Sequence, residues 1–338
     1  MAYRRCFLTF VLTVFTLLNA TGCTTAPTPS AQFETLETIG TPTARHEAAF
    51  VEHKGKLYLI GGRRINPVDV FDPLTRRWRQ KATPELELHH VQAVSYGDAI
   101  YLIGAMTGPY PNEVPLDRVL KYLPAEDRFE WGATIPEHRR RGAAGVAVYN
   151  ERIYIVGGIT NGHVGGAQPW LDEFDPRSGQ WRALADAPIA RDHLQAAVAG
   201  DRLYVFAGRR TSQGTGQVID LTERRGNVYD FKRAAWLAST DALTLPTERA
   251  GNMAIAWGDQ IFVAGGESAT QVAAHSEVEV FDVRGNRWRT HAPLNRGRHG
   301  TGFAIVDGYL YTASGCGNRG GKPELTSLER LRLPRPKR

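Results

Sequence analysis

The chain has 338 residues, of which 42% are hydrophobic, enough for a sizeable core and too many for a disordered chain. Its three cysteines exclude a disulfide-built scaffold. The formal net charge of +6 is typical of proteins that bind nucleic acid, but its location argues against that function. Residues 1–22 and the predicted basic tail, residues 332–338, contain six basic residues and no acid, which leaves residues 23–331 formally neutral. We therefore expect no nucleic-acid partner.

The amino-terminal segment is predicted to be a signal peptide that ends at a lipidated cysteine. Arg4 and Arg5 precede the apolar residues 7–18, a run shorter than the roughly 20 residues of a membrane span. The following Ala20-Thr21-Gly22-Cys23 resembles the lipobox of bacterial lipoproteins, which implies cleavage after residue 22 and lipid on Cys23. An ordinary cleaved signal peptide is the alternative interpretation.

The lipobox resemblance implies a protein of the bacterial cell envelope that faces the periplasm. Thr24, where an aspartate would favour the inner membrane, favours the outer membrane. Residues 23–32 have no core pattern and are predicted to be a tether. We expect the protein to contact the membrane through the lipid anchor only.

The rest of the chain is organised by a repeat of about 50 residues. An apolar strand motif with an aromatic residue and a following glycine occurs six times, at residues 56–62, 99–105, 152–158, 203–208, 261–266 and 310–315. Tryptophans follow at intervals of 50–55 residues: Trp78, Trp131, Trp181, Trp236 and Trp288. Each repeat has room for four short strands with turns between them, which predicts one antiparallel sheet per repeat.

The Gly-Gly pairs, the tyrosine three or four residues before them and the spaced tryptophans resemble the kelch repeat. The resemblance covers residues 33–331 and implies an all-β, six-bladed kelch β-propeller. The sixth repeat has no tryptophan strand, whereas residues 33–36 resemble one. We therefore expect the amino-terminal strand to complete the last blade and close the ring.

Alignment of the repeats places an arginine at one position in five of the six blades. Blade 2 has Leu88 there. The first and second strands of a blade are antiparallel neighbours, so this position is predicted to lie on one face of the disk, near the central channel. Some of these arginines are also expected to bridge blades. The five are Arg45, Arg141, Arg191, Arg249 and Arg298.

The same face is predicted to collect most of the histidines and several acids. Seven of the ten histidines are expected there: His46, His89, His90, His163, His193, His275 and His299. The predicted ligand-binding residues are the five aligned arginines together with Asp192, Arg209 and His299. Arginine suits carboxylates and phosphates, and the resemblance to animal kelch adaptors implies acidic peptides. The leading hypothesis is a binding module for a small acidic or carbohydrate ligand, or an acidic peptide.

An acid–base enzyme acting on a sugar acid is the second hypothesis. Bacterial N-acetylneuraminate epimerase is a similar six-bladed kelch protein, and its Gly-Glu after a second strand resembles Gly266-Glu267. The arginine that follows there has no counterpart, since position 273 is alanine. An epimerase, mutarotase or lyase needs an acid and a base across the sugar ring. The candidates are Glu267, His193, Glu47 and His90.

A metal or other cofactor is not expected. His46, His89, His90, His193 and His299 come from four blades, but arginines on the same rim would repel a cation, and the chain has no HxxxH or HxH spacing. Galactose oxidase shares the kelch core and uses copper. We do not expect its chemistry, because no carboxy-terminal domain is present to complete such a site and Cys316 follows a second strand of the last blade.

Overall fold

Six four-stranded antiparallel sheets make up most of the computed structural model, which describes Met1 and residues 32–334. The predicted signal peptide, the lipidated Cys23 and residues 335–338 lie outside the described residues. Within residues 32–334, no helix has the length and hydropathy needed to cross a bilayer. The helical segments there are single 3-10 turns: Glu137–Arg139, Gln213–Thr215 and Asp241–Leu243.

The strands follow the order predicted from the repeats. The chain begins with β1 (Glu34–Thr35) and then forms blade 1 from β2 (Ala48–His53), β3 (Lys56–Gly61), β4 (Asp69–Asp72) and β5 (Arg77–Gln80). Blade 2 contains β6 (Ala93–Tyr96), β7 (Ala99–Leu102), a small hairpin of β8 (Met106–Thr107) and β9 (Val114–Pro115), β10 (Arg118–Leu123) and β11 (Arg128–Thr134).

Blades 3 to 6 repeat this arrangement. Blade 3 contains β12 (Gly145–Tyr149), β13 (Arg152–Val156), the hairpin of β14 (Ile159–Asn161) and β15 (Gly165–Ala167), β16 (Leu171–Phe174) and β17 (Trp181–Ala183). Blade 4 contains β18 (Gln195–Ala199), β19 (Arg202–Phe206), β20 (Asn227–Asp230) and β21 (Ala235–Trp236). Blade 5 contains β22 (Met253–Trp257), β23 (Gln260–Ala264), β24 (Val278–Asp282) and β25 (Arg287–His291), and blade 6 contains β26 (Ala304–Val306), β27 (Tyr309–Ala313) and β28 (Leu328–Arg332).

The amino-terminal strand completes blade 6, as the repeat pattern predicts. Strand β1 pairs antiparallel with β28, with Glu34 opposite Arg330 and Thr35 opposite Glu329. Strand β28 extends to Arg332, and Leu333 is buried in the core. The propeller therefore includes the first residues of the predicted basic tail.

The second strand of each blade is the apolar centre of its sheet, and the repeated tryptophan covers the outer edge. In blade 1, Trp78 on β5 lies opposite Phe71 on β4, with ring centroids 5.1 Å apart. The equivalent pairs Phe174–Trp181 and Phe281–Trp288 have centroid distances of 4.7 and 5.1 Å. Cross-strand aromatic pairs of this kind stabilise a sheet and explain the tryptophan spacing.

The five aligned arginines lie inside the blades, so the prediction that they contact a ligand is wrong. Their exposed fractions are 0–3%: Arg45, Arg141, Arg191, Arg249 and Arg298. Each guanidinium instead pairs with the third strand of its own blade, through the contacts Arg45–Asp69, Arg141–Asp172, Arg191–Asn227, Arg249–Glu279 and Arg298–Glu329.

These arginines also bind backbone carbonyls at the glycine turn that gives the repeat its signature. Nη1 of Arg45 donates to the Gly61 carbonyl at 3.0 Å, and Nη1 of Arg191 donates to the Ala207 carbonyl at 2.9 Å. Burial lowers the pKa of both guanidiniums to about 10, which leaves them charged at neutral pH. A buried charge needs compensating partners. Arg45 has the carboxylate of Asp69, whereas Arg191 has the amide oxygen of Asn227 and backbone carbonyls.

Blade 2 has an apolar pair in place of the arginine and its partner. Leu88 stands at the arginine position, and Leu120 stands at the position of Asp69 in the third strand. Both leucines are buried in one core cluster. The two positions therefore vary together, as expected when loss of one charge leaves the other uncompensated.

Arg249→Leu is expected to lower the free energy of unfolding by about 3–5 kcal/mol, because it leaves the Glu279 carboxylate buried without its partner. Adding Glu279→Leu, which copies blade 2, is expected to restore most of this loss. Denaturant titration measures both values. Arg79→Ala, at an exposed arginine, is the control and should change stability by no more than about 0.5 kcal/mol. A single variant as stable as the control would contradict the structural role of the pair.

Candidate functional site

A closed ring of backbone hydrogen bonds surrounds the central channel where the first strands begin. The ring has six members, one per blade. Each member after the first donates its N–H to the carbonyl of the previous one at 2.7–3.0 Å, and the N–H of Ala48, next to the first member, closes the ring to Gly300 O at 3.1 Å. The ring requires φ values of +51 to +63°. At Gly300 a Cβ would lie 2.7 Å from the backbone nitrogen of Glu47, so only glycine fits there. The ring residues are Glu47, His90, Ala143, His193, Gly251 and Gly300.

The ring forms a neck that divides the channel. Below it, side chains of the first strands line a wider space of about 500 Å³. Two glutamines cross between blades at this level. Gln92 accepts from the Val146 and Ala196 N–H groups at 2.7 and 3.0 Å, and Gln195 donates to the Thr301 carbonyl at 2.8 Å. The neck is therefore narrow and its polar groups are tied to the backbone.

Above the neck is a cavity of about 740 Å³, which we call the upper cavity. Its walls come from the turns before the first strands, the turns after the second strands and the long loops that follow them. The polar lining consists of His46, Glu47, Arg63, Glu87, Tyr110, His163, Arg209, Glu267, His299 and Arg319, and the apolar lining includes Pro109, Val218 and Ile219. The volume lies within the usual range for small-molecule sites.

One wall of the upper cavity carries an ion-paired group centred on Glu267. Its carboxylate accepts from Nη1 of Arg209 at 2.5 Å and from the Gly320 N–H at 2.8 Å. Nε2 of His299 lies 3.6 Å from the same carboxylate. Burial by itself would lower the pKa of His299, but the Glu267 carboxylate and other acceptors raise it to about 9. His299 and Arg209 hold the pKa of Glu267 below its ordinary value, against the effect of burial. This wall therefore presents a protonated imidazole beside a carboxylate.

Three buried histidines from three neighbouring blades meet where the neck joins the upper cavity, a level that we call the floor: His90 and His193 line the neck and His163 lines the cavity. The ring centroids of His90, His163 and His193 are 4.8–5.0 Å apart in every pairing. His90 and His193 are members of the backbone ring, whereas His163 lies in the β14–β15 hairpin. One ring nitrogen from each lies within 4.8 Å of the other two. Burial lowers the pKa of His90 and of His193, so both are neutral at pH 7.

Buried acceptors hold these imidazoles from behind. Asp192 binds Nδ1 of His193 at 2.5 Å, and Glu113 binds Nδ1 of His163 at 2.9 Å. Nδ1 of His90 lies 2.7 Å from Nδ1 of His89. Asp192 is thus a positioning group behind the cavity and not a wall of it.

The structure brings together some of the predicted site residues and separates others. Glu47, His90 and His193 meet at the neck, where Oε2 of Glu47 lies 3.1 Å from Nε2 of His90. Burial favours the neutral form of Glu47, but the nearby histidines His193, His46 and His299 lower its pKa. Glu267 belongs to the separate wall with Arg209 and His299.

Sequence reasoning missed the partners that come from the loops. His163, Glu113 and Arg319 are not among the site residues that the repeat pattern predicts. They lie in loops of different lengths between the second and third strands, so the repeat gives them no aligned position. The expectation of no metal rested on arginines near the histidines. The five aligned arginines lie inside the blades, and Arg63 and Arg209, which do lie near the histidines, are paired with Glu113 and Glu267. The third histidine of the floor, His163, is one that the metal argument had not included.

Comparison with known proteins identifies related repeats along most of the chain. The family model described as the KLHDC2/KLHL20/DRC7 Kelch-repeats domain matches residues 89–315, and the Kelch motif model matches residues 44–85. Kelch-like protein terF of Aspergillus terreus is 26% identical over 326 residues, which cover 88% of this chain and 68% of that protein. The human Kelch-like protein 23 is 24% identical over 77% of this chain and 43% of its own length. Alpha-scruin of Limulus polyphemus is 27% identical over 59% of this chain, and the matched region covers 21% of the length of alpha-scruin.

A solved structure gives the same fold. The structure of YjhT superposes with a TM-score of 0.70 over 86% of this chain and 96% of that chain. Sequence identity is 15%, so this similarity supports the propeller architecture and not a shared activity.

Raising the pH from 6.5 to above 9 is expected to remove up to about 3 kcal/mol of stability through His299, given its pKa of about 9 in the folded protein. Since the folded protein holds this proton more tightly than the unfolded chain, the stabilisation is complete below pH 6.5 and is lost as the pH rises through 9. The described histidines with lowered pKa values titrate below this window. The test is to measure the free energy of unfolding of wild type and of His299→Gln as a function of pH. The free energy should fall more steeply with pH in wild type, and equal slopes between pH 6.5 and 9 would contradict the prediction.

Proposed function

This chain belongs to the kelch-repeat family, and from that premise we propose that its upper cavity binds a small polyhydroxyl ligand that carries a carboxylate, such as a sugar acid. The observation that carries the proposal is the exposed guanidinium of Arg319 in the lining of this cavity. The size of the cavity favours a small ligand over an acidic peptide.

Arg319 differs from the other arginines of the lining in having its charge available. Arg63 pairs with Glu113 and Arg209 pairs with Glu267, so both charges are already offset. Nη1 of Arg319 donates to the Ala269 carbonyl at 3.1 Å, and within residues 32–334 no carboxylate lies within ion-pair distance of it. A planar guanidinium of this kind can bind a ligand carboxylate through two parallel hydrogen bonds.

The remaining lining suits the hydroxyl groups and C–H faces of a sugar ring. Tyr110 is 52% exposed, and its ring offers a flat apolar surface at the cavity wall. Val218 and Ile219 add apolar surface, while Glu47 and His46 provide hydrogen-bonding atoms for hydroxyls. A few convergent polar groups in a partly apolar pocket are typical of small-molecule sites.

Arg319→Ala is expected to weaken the binding of glucuronate or galacturonate about 10–100-fold, the loss that corresponds to one charge-assisted hydrogen-bonded contact. Isothermal titration calorimetry measures the affinities. The methyl esters of the same acids, which lack the charge, should bind wild type and Arg319→Ala equally.

The matched control is Arg210→Ala, since Arg210 is exposed nearby but does not line the cavity. This variant should bind sugar acids as wild type does. Equal affinity of wild type for the acids and their esters would overturn the proposal, as would unchanged binding in Arg319→Ala.

Acid–base catalysis on the same ligand is the second candidate function. Neighbouring titratable groups with pKa values displaced in opposite directions can serve as acid and base, and His299 and Glu267 are such a pair. In the same titration samples, NMR exchange between the anomers of the sugar acid would report a mutarotase. Glu267→Gln should abolish that exchange while leaving affinity within tenfold, and absence of exchange in wild type favours the binding module.

We also propose that the propeller is anchored in the cell envelope through Cys23, on the basis of the lipobox pattern. Metabolic labelling with palmitate should mark the wild-type chain and Cys6→Ser, because Cys6 leaves with the signal peptide. Cys23→Ser should not be labelled. Label retained in Cys23→Ser would exclude this anchor.

A further inference from the structure

We propose that His90, His163 and His193 bind a divalent transition-metal ion through their Nε2 atoms, at the floor of the upper cavity. The three imidazoles come from blades 2, 3 and 4 and are each about 5% exposed. The ion is independent of the sugar-acid ligand, because the site is built from the neck and from the groups behind it.

The hydrogen bonds behind two of the rings determine which nitrogen faces the shared centre. A carboxylate only accepts, so Nδ1 of His193 donates to Asp192 and Nδ1 of His163 donates to Glu113. In a neutral imidazole the other nitrogen then carries a lone pair. In the neutral form that metal binding requires, both rings therefore present an Nε2 lone pair to the floor.

The orientation of His90 follows from a chain of two histidines. Nε2 of His89 lies 3.2 Å from the carbonyl of Gly108, which can only accept, so His89 carries its proton on Nε2. Nδ1 of His89 is then the acceptor for the proton on Nδ1 of His90, 2.7 Å away. His90 is left with its lone pair on Nε2, as in the other two rings.

Three lone pairs directed at one region repel each other unless a cation lies between them. Nε2 of His90 and Nε2 of His193 are buried and make no hydrogen bond, although Oε2 of Glu47 lies 3.1 Å from Nε2 of His90. Buried polar atoms without partners are rare in folded proteins. A metal-bound histidine typically donates its other N–H to a carboxylate or a carbonyl, which is the arrangement found behind His163 and His193.

The charges around the floor also favour a cation. Three carboxylates contact the trio: Glu47, Glu113 and Asp192. The guanidinium of Arg63 pairs with Glu113, and that of Arg209 is shared between Glu267 and Asp192, so the three carboxylates are not fully offset. Oε2 of Glu47 lies 3.1 Å from Nε2 of His90 and is placed to be a fourth ligand.

The donor set indicates the class of metal. Imidazole nitrogens with one carboxylate suit zinc, copper, iron or nickel in the divalent state, and do not suit magnesium or calcium. Zn–N bonds of about 2.0–2.1 Å require each nitrogen to move inward by roughly 1 Å from the present separation. Three imidazoles and the Glu47 carboxylate together supply the four ligands of a tetrahedral site.

The test uses the full chain, freed of metal with a chelator and titrated with Zn²⁺ alone by calorimetry. We expect one ion per chain. Glu113→Gln should weaken binding about 10–100-fold, as measured for outer-shell partners of metal sites, and His163→Ala should weaken it further. With Cu²⁺, electron paramagnetic resonance should show hyperfine splitting from three imidazole nitrogens in wild type and from two in His163→Ala.

Three controls keep the outcomes separate. His163 lies in a loop hairpin outside the backbone ring, so its variant should keep the wild-type melting temperature when metal is absent. His275→Ala removes a buried histidine of the same face, and Arg319→Ala removes the sugar-acid contact; both should bind Zn²⁺ as wild type does. Absence of a bound ion in wild type would overturn the proposal. So would Zn²⁺ binding that keeps its wild-type affinity in His163→Ala, or that disappears with His138→Ala, at an exposed histidine.

Discussion

The ring of backbone hydrogen bonds at the neck is the constraint on which the candidate site depends. It links six blades through one residue each, and it forces all six into the left-handed region. For the four members that are not glycine, this conformation costs roughly 1–2 kcal/mol per residue. In return, the ring holds Glu47, His90 and His193 at fixed positions around one axis. Side chains from distant parts of the chain thereby meet without relying on flexible loops.

The blades and their closure could be predicted from the sequence because they depend on a period. The recurring strand motif and the spaced tryptophans each reflect a contact made once per blade, and β1 closes the ring because the last repeat lacks one strand. The arginines have the same periodicity for the same reason. A residue repeated in five blades meets a structural need that those blades share, which here is a partner for the glycine-turn carbonyls and for a third-strand polar side chain such as Asp69. The prediction that these arginines contact a ligand was wrong because their periodicity reflects a repeated structural contact and not a binding function. The third-strand partners of these arginines also recur in the sequence; Asp69, for example, lies two residues before Phe71. Aligning the arginine position with this partner position would have indicated a contact inside each blade.

The candidate site is, by contrast, the part of the molecule where the repeats differ. The ring position is occupied by glutamate, histidine, alanine and glycine in different blades, so side-chain chemistry is concentrated on blades 1, 2 and 4. His163 and Glu113 arise in loops whose lengths follow no period, and they meet because two neighbouring blades carry small hairpins above the neck. No spacing rule connects residues 50 positions apart in unaligned loops, so this contact could be found only from the fold.

Depth in the channel separates the chemistry of the site into two levels. Near the mouth, groups such as Arg319 and Tyr110 are exposed and can exchange water for a ligand at low cost. At the neck, the imidazoles are buried and held from behind by Asp192 and Glu113, so their orientation is set before any ligand arrives. Preorganised polar groups in a region of low dielectric interact more strongly than the same groups in water. For the proposed sugar acid, specificity is therefore expected to come from the mouth, whereas the floor is expected to act electrostatically on the proposed ion.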